Sequence, residues 1–183
     1  QDFHLVHLGA RAMGGAALVF VEMTSPTPEG RITPGCPGLW NDAQQAAFTR
    51  IVDFVHGSTS ARIGLQLGHS GPKGSTQVGW EQMDEPLASG NWPLLAASAI
   101  AYGEQNQVPA AMTRADMDRV VHDFTRAARM AIESDFDAVD FFRAGSGCGR
   151  CRRTATHASQ CRHHLDQSER DQLLKTVAAR RET

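Results

Sequence analysis

One glycine-bounded segment, residues 61–71, most constrains how this chain can fold. Its apolar residues, Ile63, Leu65 and Leu67, alternate with small or polar ones. This pattern is typical of a buried strand, and it places Gln66 and His69 at the strand's end. Ligands of parallel α/β folds bind where the carboxyl ends of the strands converge. Gln66 and His69 are therefore candidate binding residues, although polar groups that only cap a strand would give the same pattern.

Two further apolar segments predict strands of the same sheet. Residues 16–21 form a continuous apolar run, which is typical of a strand buried on both faces, and Glu22 closes it. Residues 137–142 are interpreted as a third strand. Apolar residues at helical spacing precede each strand, so the order is helix, strand, helix, strand, long loop, helix, strand. This order predicts an α/β fold with parallel strands joined by right-handed crossovers.

The predicted helices have local boundary signals. Gly14 and Gly15 end the first helix, and Asn41 or Asp42 can cap the second. Thr113 is the expected N-cap of the third helix because Asp116 follows three residues later, in a capping-box position.

Two long connections are expected near the carboxyl ends of the strands. Residues 24–38 are rich in proline and glycine, and we expect them to cover part of this rim. The excursion from Gly71 to Gly103 is longer than usual and is interpreted as an ordered lid. Trp80 and Trp92 would either shape this lid or simply anchor the loop.

Composition excludes several functional classes. The chain has 183 residues, a formal net charge of −2 and 41% hydrophobic residues, as expected of a soluble globular protein without a nucleic-acid partner. The longest apolar run, residues 16–21, is too short to span a membrane. Without a signal sequence and with four unevenly spread cysteines, the chain is expected to be cytoplasmic with reduced thiols. It lacks an initiator methionine and enters a helical pattern at once, so we expect it to start inside a domain.

Four short motifs occur in a fixed order along residues 1–142. They are Val21-Glu22-Met23-Thr24, Pro28-Glu29-Gly30-Arg31, Gln66-Leu67-Gly68-His69-Ser70-Gly71 and Met112-Thr113-Arg114. Together they resemble the Old Yellow Enzyme family of NADH:flavin oxidoreductases, and this combination is more specific than any single motif. The excursion contains Gly71-Pro72-Lys73-Gly74-Ser75, Gly79-Trp80-Glu81 and Gly90-Asn91-Trp92-Pro93-Leu94. It is similar to the Old Yellow Enzyme-like domain of salicylyl-CoA and 2-aminobenzoyl-CoA hydroxylases.

The resemblance implies a TIM (β/α)8 barrel that binds FMN at the carboxyl ends of its strands. Hydride would pass from NAD(P)H to FMN and then to a small substrate, either an activated, enone-like alkene or an aromatic CoA thioester. By position, the backbone of Met23 would contact the isoalloxazine ring and Gln66 would hydrogen-bond its pyrimidine edge. Glu22 and His69 would support these contacts.

The chain also departs from the family. Its three strands correspond to the second, third and fourth of the family, and a complete barrel needs about 250 residues. The family's His-x-x-His-Gly-Tyr type of motif would follow Asp140, but residues 141–148 read Phe-Phe-Arg-Ala-Gly-Ser-Gly-Cys. No catalytic residue is therefore predicted, and an inactive, incomplete barrel is expected. The alternative is a noncatalytic truncated barrel that folds only by forming oligomers, since its outer strands would have open edges.

Residues 143–183 change abruptly in composition and are interpreted as a divergent, disordered or frameshifted tail, with a short helix possible over residues 168–181. A competing interpretation is a zinc site, for which the tail offers Cys148, Cys151, His157, Cys161, His163 and His164. The spacing of these ligands is shorter than in familiar zinc modules, so no metal is predicted.

Overall fold

The computed structural model describes residues 2–142, which all fall within one compact unit. The predictions for residues 143–183, including the zinc ligands and the short helix, lie outside the described residues. The boundary at residue 142 therefore stays a prediction.

Three helices and five strands make up the described part of the chain. In chain order they are α1 (Asp2–Met13), β1 (Leu18–Thr24), α2 (Asp42–Ser58), β2 (Arg62–Gly68), β3 (Leu95–Ala96), β4 (Ala110–Ala111), α3 (Arg114–Glu133) and β5 (Ala138–Phe142). A single 3-10 turn, Gly71–Lys73, follows β2. The predicted order of helices and long strands is confirmed.

Strands β1, β2 and β5 form a parallel sheet in that order, and a helix connects each strand to the next. Leu65 at the centre of β2 lies opposite Val21 of β1 and Val139 of β5. The predicted parallel βαβ arrangement is therefore confirmed.

The helices cover only one face of this sheet. Side chains from that face join α1, α2 and α3 in a single apolar core, and those from the strands are Val19, Val21, Ile63, Leu65, Leu67, Val139 and Phe141. On the opposite face, Leu18 and Phe20 are 51% and 43% exposed. A doubly wound sheet has helices on both faces, whereas the wall of a (β/α)8 barrel has them only outside. The described residues thus form part of a barrel wall.

Two expectations for β1 were wrong. The strand is not buried on both faces, because no described residue covers the face that carries Leu18 and Phe20. Glu22 does not close the strand either, since β1 continues through Met23 to Thr24. A continuous apolar run records how apolar each residue is, but not whether another part of the chain covers it.

The helix signals are confirmed. Asn41 is the N-cap of α2, and its side chain accepts a hydrogen bond from the Gln44 amide. Thr113 and Asp116 form the complete capping box of α3. No helix of the described residues is long and apolar enough to cross a membrane.

The excursion after β2 is ordered, as expected, and contains the short parallel pair β3–β4. The two tryptophans of this excursion differ in environment. The Trp92 ring is half-buried and its Nε1 donates to the Glu29 carbonyl at 3.1 Å, whereas Trp80 is 82% exposed. Trp92 is thus the anchoring tryptophan.

Candidate functional site

A bulge in β1 lies directly opposite Gln66. Val21 pairs with Leu65 and Thr24 with Leu67, so Glu22 and Met23 together oppose the single residue between these partners. Within the bulge, the Thr24 hydroxyl donates a hydrogen bond to the Glu22 carbonyl at 3.0 Å. Bulges re-aim the backbone and are common beside binding sites.

Gln66 lies inside β2, two residues before its end, and not at the strand's mouth as predicted. Its register partner on β5 is Asp140. The Gln66 Nε2 donates to the Asp140 Oδ2 at 2.9 Å, which fixes the orientation of the amide. The amide then retains one N–H donor and its carbonyl acceptor for a ligand. Asp140 was not predicted as a site residue, and its position as the third residue of a neighbouring strand is the signal that could have revealed it.

Glu22 is directed toward α1. Its Oε1 lies 2.9 Å from the Nε2 of His4, and the His4 side chain is 15% exposed while that of Glu22 is 51% exposed. The bulge therefore places both Glu22 and Met23 opposite Gln66, but the Glu22 carboxylate contacts His4 on α1.

His69 follows β2 and faces a different set of neighbours from Gln66. Its Nδ1 accepts the Gly71 amide hydrogen at 3.1 Å, so a neutral ring carries its proton on Nε2. Burial lowers the pKa of His69, although the nearby carboxylates of Glu29 and Asp123 act in the opposite direction. His69 is therefore a neutral imidazole near pH 7.

The ring of His69 lines a small enclosed crevice between the 25–38 loop and α3. The other lining residues are Pro26, Thr27, Glu29, Leu95, Arg119, Val120 and Asp123. Across this crevice Arg126 joins the two elements, since it pairs with Asp123 at 3.0 Å and donates to the Pro26 carbonyl at 3.0 Å. Arg126 thus holds the loop against the helix, and His69 lines the space between them.

The 25–38 loop is fixed beside the carboxyl end of β2, as expected. The Ser70 amide donates to the Gly30 carbonyl at 2.8 Å, and the Thr76 amide donates to the Ile32 carbonyl at 3.0 Å. Arg31 lies between these two attachment points, with its guanidinium carbon 4.7 Å from the centroid of the Trp92 ring. Sequence reasoning used Arg31 only as part of a motif and missed this contact.

No group of three or more potential metal ligands occurs among the residues that the structure describes.

Residues 1–146 match the NADH:flavin oxidoreductase / NADH oxidase family. This chain belongs to that family. An NADH:flavin oxidoreductase of Gibberella zeae is 40% identical over 148 residues, which cover 78% of this chain and 36% of the relative. An NADPH dehydrogenase of Listeria welshimeri is 38% identical over 143 residues, covering 78% of this chain and 38% of the relative. The chain therefore spans less than two fifths of the length of these curated relatives.

Solved structures support the same assignment. Old Yellow Enzyme from Pichia sp. AKU4542 superposes with a TM-score of 0.63 at 26% identity, covering 76% of this chain and 36% of that protein. Morphinone reductase gives a TM-score of 0.69 at 24% identity, over 97% of this chain and 50% of that protein, and this likeness shows the shared fold. The family has the TIM-barrel fold and uses FMN with NAD(P)H as hydride donor.

The described residues fit one edge of FMN. A pyrimidine edge has adjacent N–H and C=O groups, which match the acceptor and the donor that remain on the Gln66 amide. The bulge also places Met23 opposite Gln66 on the neighbouring strand. Such groups orient a flavin and tune it, while the redox chemistry belongs to the cofactor.

Proposed function

We propose that this chain forms the part of an FMN-dependent NAD(P)H oxidoreductase barrel that holds the pyrimidine edge of the flavin. The observation that carries this proposal is the bulge at Glu22 and Met23, opposite a Gln66 amide oriented by Asp140. Gln66 would bind the ring edge and the Met23 backbone would contact the ring. When bound, FMN supplies hydride transfer between NAD(P)H and the substrate.

Supporting roles fall to Glu22 and His69. Glu22 would hold the bulge against α1 through His4, and His69 would hold the Gly71 turn through its Nδ1. No proton donor is assigned among residues 2–142.

The proposed substrate is a small molecule, either an activated alkene or an aromatic CoA thioester. The proposal of an aromatic CoA thioester rests on the similarity of the 71–94 loop to the salicylyl-CoA and 2-aminobenzoyl-CoA hydroxylase domains. The proposed location is the cytoplasm.

Flavin retention tests this function. The full chain is incubated with FMN and desalted, and its visible absorption spectrum is recorded before and after addition of NADH or NADPH. We expect a retained flavin band, and because an inactive, incomplete barrel is expected, the reduced nucleotide should leave that band unbleached. Gln66→Ala should weaken FMN binding about tenfold, as for the loss of one to two hydrogen bonds. The matched control, Gln105→Ala, changes an exposed loop glutamine and should bind FMN like the unaltered chain. Absence of retained flavin in the unaltered chain would contradict the proposal.

A second candidate is a noncatalytic barrel fragment that folds by self-association. It is favoured by the edges of the described sheet, where β1 and β5 each pair only with β2. Unpaired strand edges are templates for pairing with another chain. Light scattering of the full chain with and without FMN distinguishes the two candidates, because the noncatalytic fragment must form an oligomer even without flavin.

A further inference from the structure

Arg31 occupies a fixed position at the carboxyl end of the sheet. Its neighbours Gly30 and Ile32 accept hydrogen bonds from the Ser70 and Thr76 amides, which lie just after β2. The Arg31 backbone therefore runs alongside the end of the strand that carries Gln66.

The Arg31 guanidinium is held by an aromatic ring. Its central carbon lies 4.7 Å from the Trp92 ring centroid and 6.0 Å from that of Trp40. Its Nε donates to the Pro28 carbonyl at 2.7 Å. Trp92 is itself tied to this loop through the Glu29 carbonyl. Stacking and this hydrogen bond together restrict the orientation of the guanidinium.

Arg31 differs from most other arginines of residues 2–142 in having no carboxylate partner there. Five of the others pair with an aspartate, namely Arg50, Arg62, Arg114, Arg119 and Arg126. The contacts of Arg31 within this part of the chain are two indole rings and one backbone carbonyl, and none of these groups carries a negative charge. The guanidinium thus keeps its terminal N–H groups and its full charge for an anion.

We propose that Arg31, stacked on Trp92, binds a phosphate group of the nucleotide or substrate beside the carboxyl end of β2. An oriented guanidinium offers paired N–H donors that match phosphate oxygens, and it is more weakly hydrated than an ammonium group. The inference rests on the proposed function for its ligand, since NAD(P)H and a CoA thioester both carry a pyrophosphate.

Calorimetric titration of the full chain tests this inference with three probes: inorganic pyrophosphate, NADP+ and coenzyme A. We expect saturable binding of at least one probe. Arg31→Gln should raise its dissociation constant about tenfold, as for the loss of a charge-assisted hydrogen bond. The dissociation constant for Arg31→Lys should lie between those of Arg31→Gln and the unaltered chain, because lysine keeps the charge but lacks the planar guanidinium. Arg129→Gln, on an exposed part of α3, is the matched control and should bind the probes like the unaltered chain.

The pattern of loss identifies the source of the phosphate. If Arg31→Gln raises the dissociation constant of coenzyme A alone, the phosphate belongs to a thioester substrate. If it raises that of NADP+ alone, the phosphate belongs to the reduced nucleotide. Equal increases for all three probes support a general phosphate site. Absence of saturable binding, or equal affinities of Arg31→Gln and the unaltered chain, would overturn the inference. FMN retention is measured on the same samples. If FMN is not retained while anion binding depends on Arg31, the proposed function fails and the phosphate site stands.

Discussion

Asp137, the residue before β5, joins three parts of the chain at the amino-terminal end of the sheet. Its carboxylate accepts hydrogen bonds from the Ile63 amide, the His56 Nε2 and the Arg62 guanidinium, each at 2.8 Å. Burial acts to raise the pKa of Asp137, but these three hydrogen bonds outweigh it and lower the pKa. This carboxylate therefore stabilises the folded chain in its charged form.

Replacing Asp137 tests this role. Asp137→Asn should lower the free energy of unfolding by about 1–2 kcal/mol at neutral pH, since the charged hydrogen bonds are lost. Because the folded pKa lies below the unfolded value of about 3.9, the stabilisation is present above that value and is lost as pH falls through the folded pKa. In urea denaturation, the free energies of unfolding of the two proteins should therefore differ near pH 7 and become equal at acidic pH. Asp53→Asn, an exposed change on α2, serves as control. A difference independent of pH would contradict this assignment.

At the scale of single elements, α3 begins with a reciprocal cap. The Thr113 hydroxyl accepts the Asp116 amide hydrogen, and the Asp116 carboxylate accepts the Thr113 amide hydrogen at 2.9 Å. Both bonds satisfy amide groups that have no partner within the helix. The cap fixes where α3 starts, and α3 in turn carries Arg126 and Asp123, which hold the 25–38 loop.

Thr113→Ala should lower the free energy of unfolding by about 1 kcal/mol, the usual effect of losing an N-cap side chain. Thr125→Ala is the matched control on the same helix, because the Thr125 hydroxyl only donates to the Val121 carbonyl within α3. Thermal and urea denaturation of both variants measure the difference. Equal losses in the two variants would show that the cap has no special role.

At the scale of the whole molecule, the described chain is a three-stranded wall with helices on one side. Its other face displays Leu18 and Phe20, and the Phe20 ring lies across Gly64, where a β-carbon would come within 2.4 Å of it. In a closed barrel this face is the packed interior. In the second candidate function, we expect association of the chains to cover this apolar face together with the open strand edges.

The double variant Leu18→Ser/Phe20→Ser should therefore weaken self-association at least about tenfold, which corresponds to about 1.4 kcal/mol. Val6→Ser/Met13→Ser removes two apolar side chains of α1 that are more exposed, at 69% and 62%, and provides the control. Sedimentation equilibrium measures the association constants. Equal weakening by both pairs would place the contact elsewhere.

The sequence alone determined the elements and much of the candidate site. Helical spacing, the Asn41 and Thr113 caps and the alternation around Leu65 are local signals, and each is confirmed. The ordered motifs indicate the family, and the position of Met23 and Gln66 near the flavin stays a prediction. The finer similarity to CoA hydroxylase domains also stays a prediction.

Only the tertiary structure decided which side chains meet. The bulge opposite Gln66 depends on the register of β1 against β2, and the bond to Asp140 joins residues 74 positions apart. The stacking of Arg31 on Trp92 likewise depends on how two long loops pack, and the exposure of Phe20 depends on what covers the sheet. Periodicity and capping act within a few residues, whereas register and burial are set by contacts between distant segments, which the local pattern does not encode.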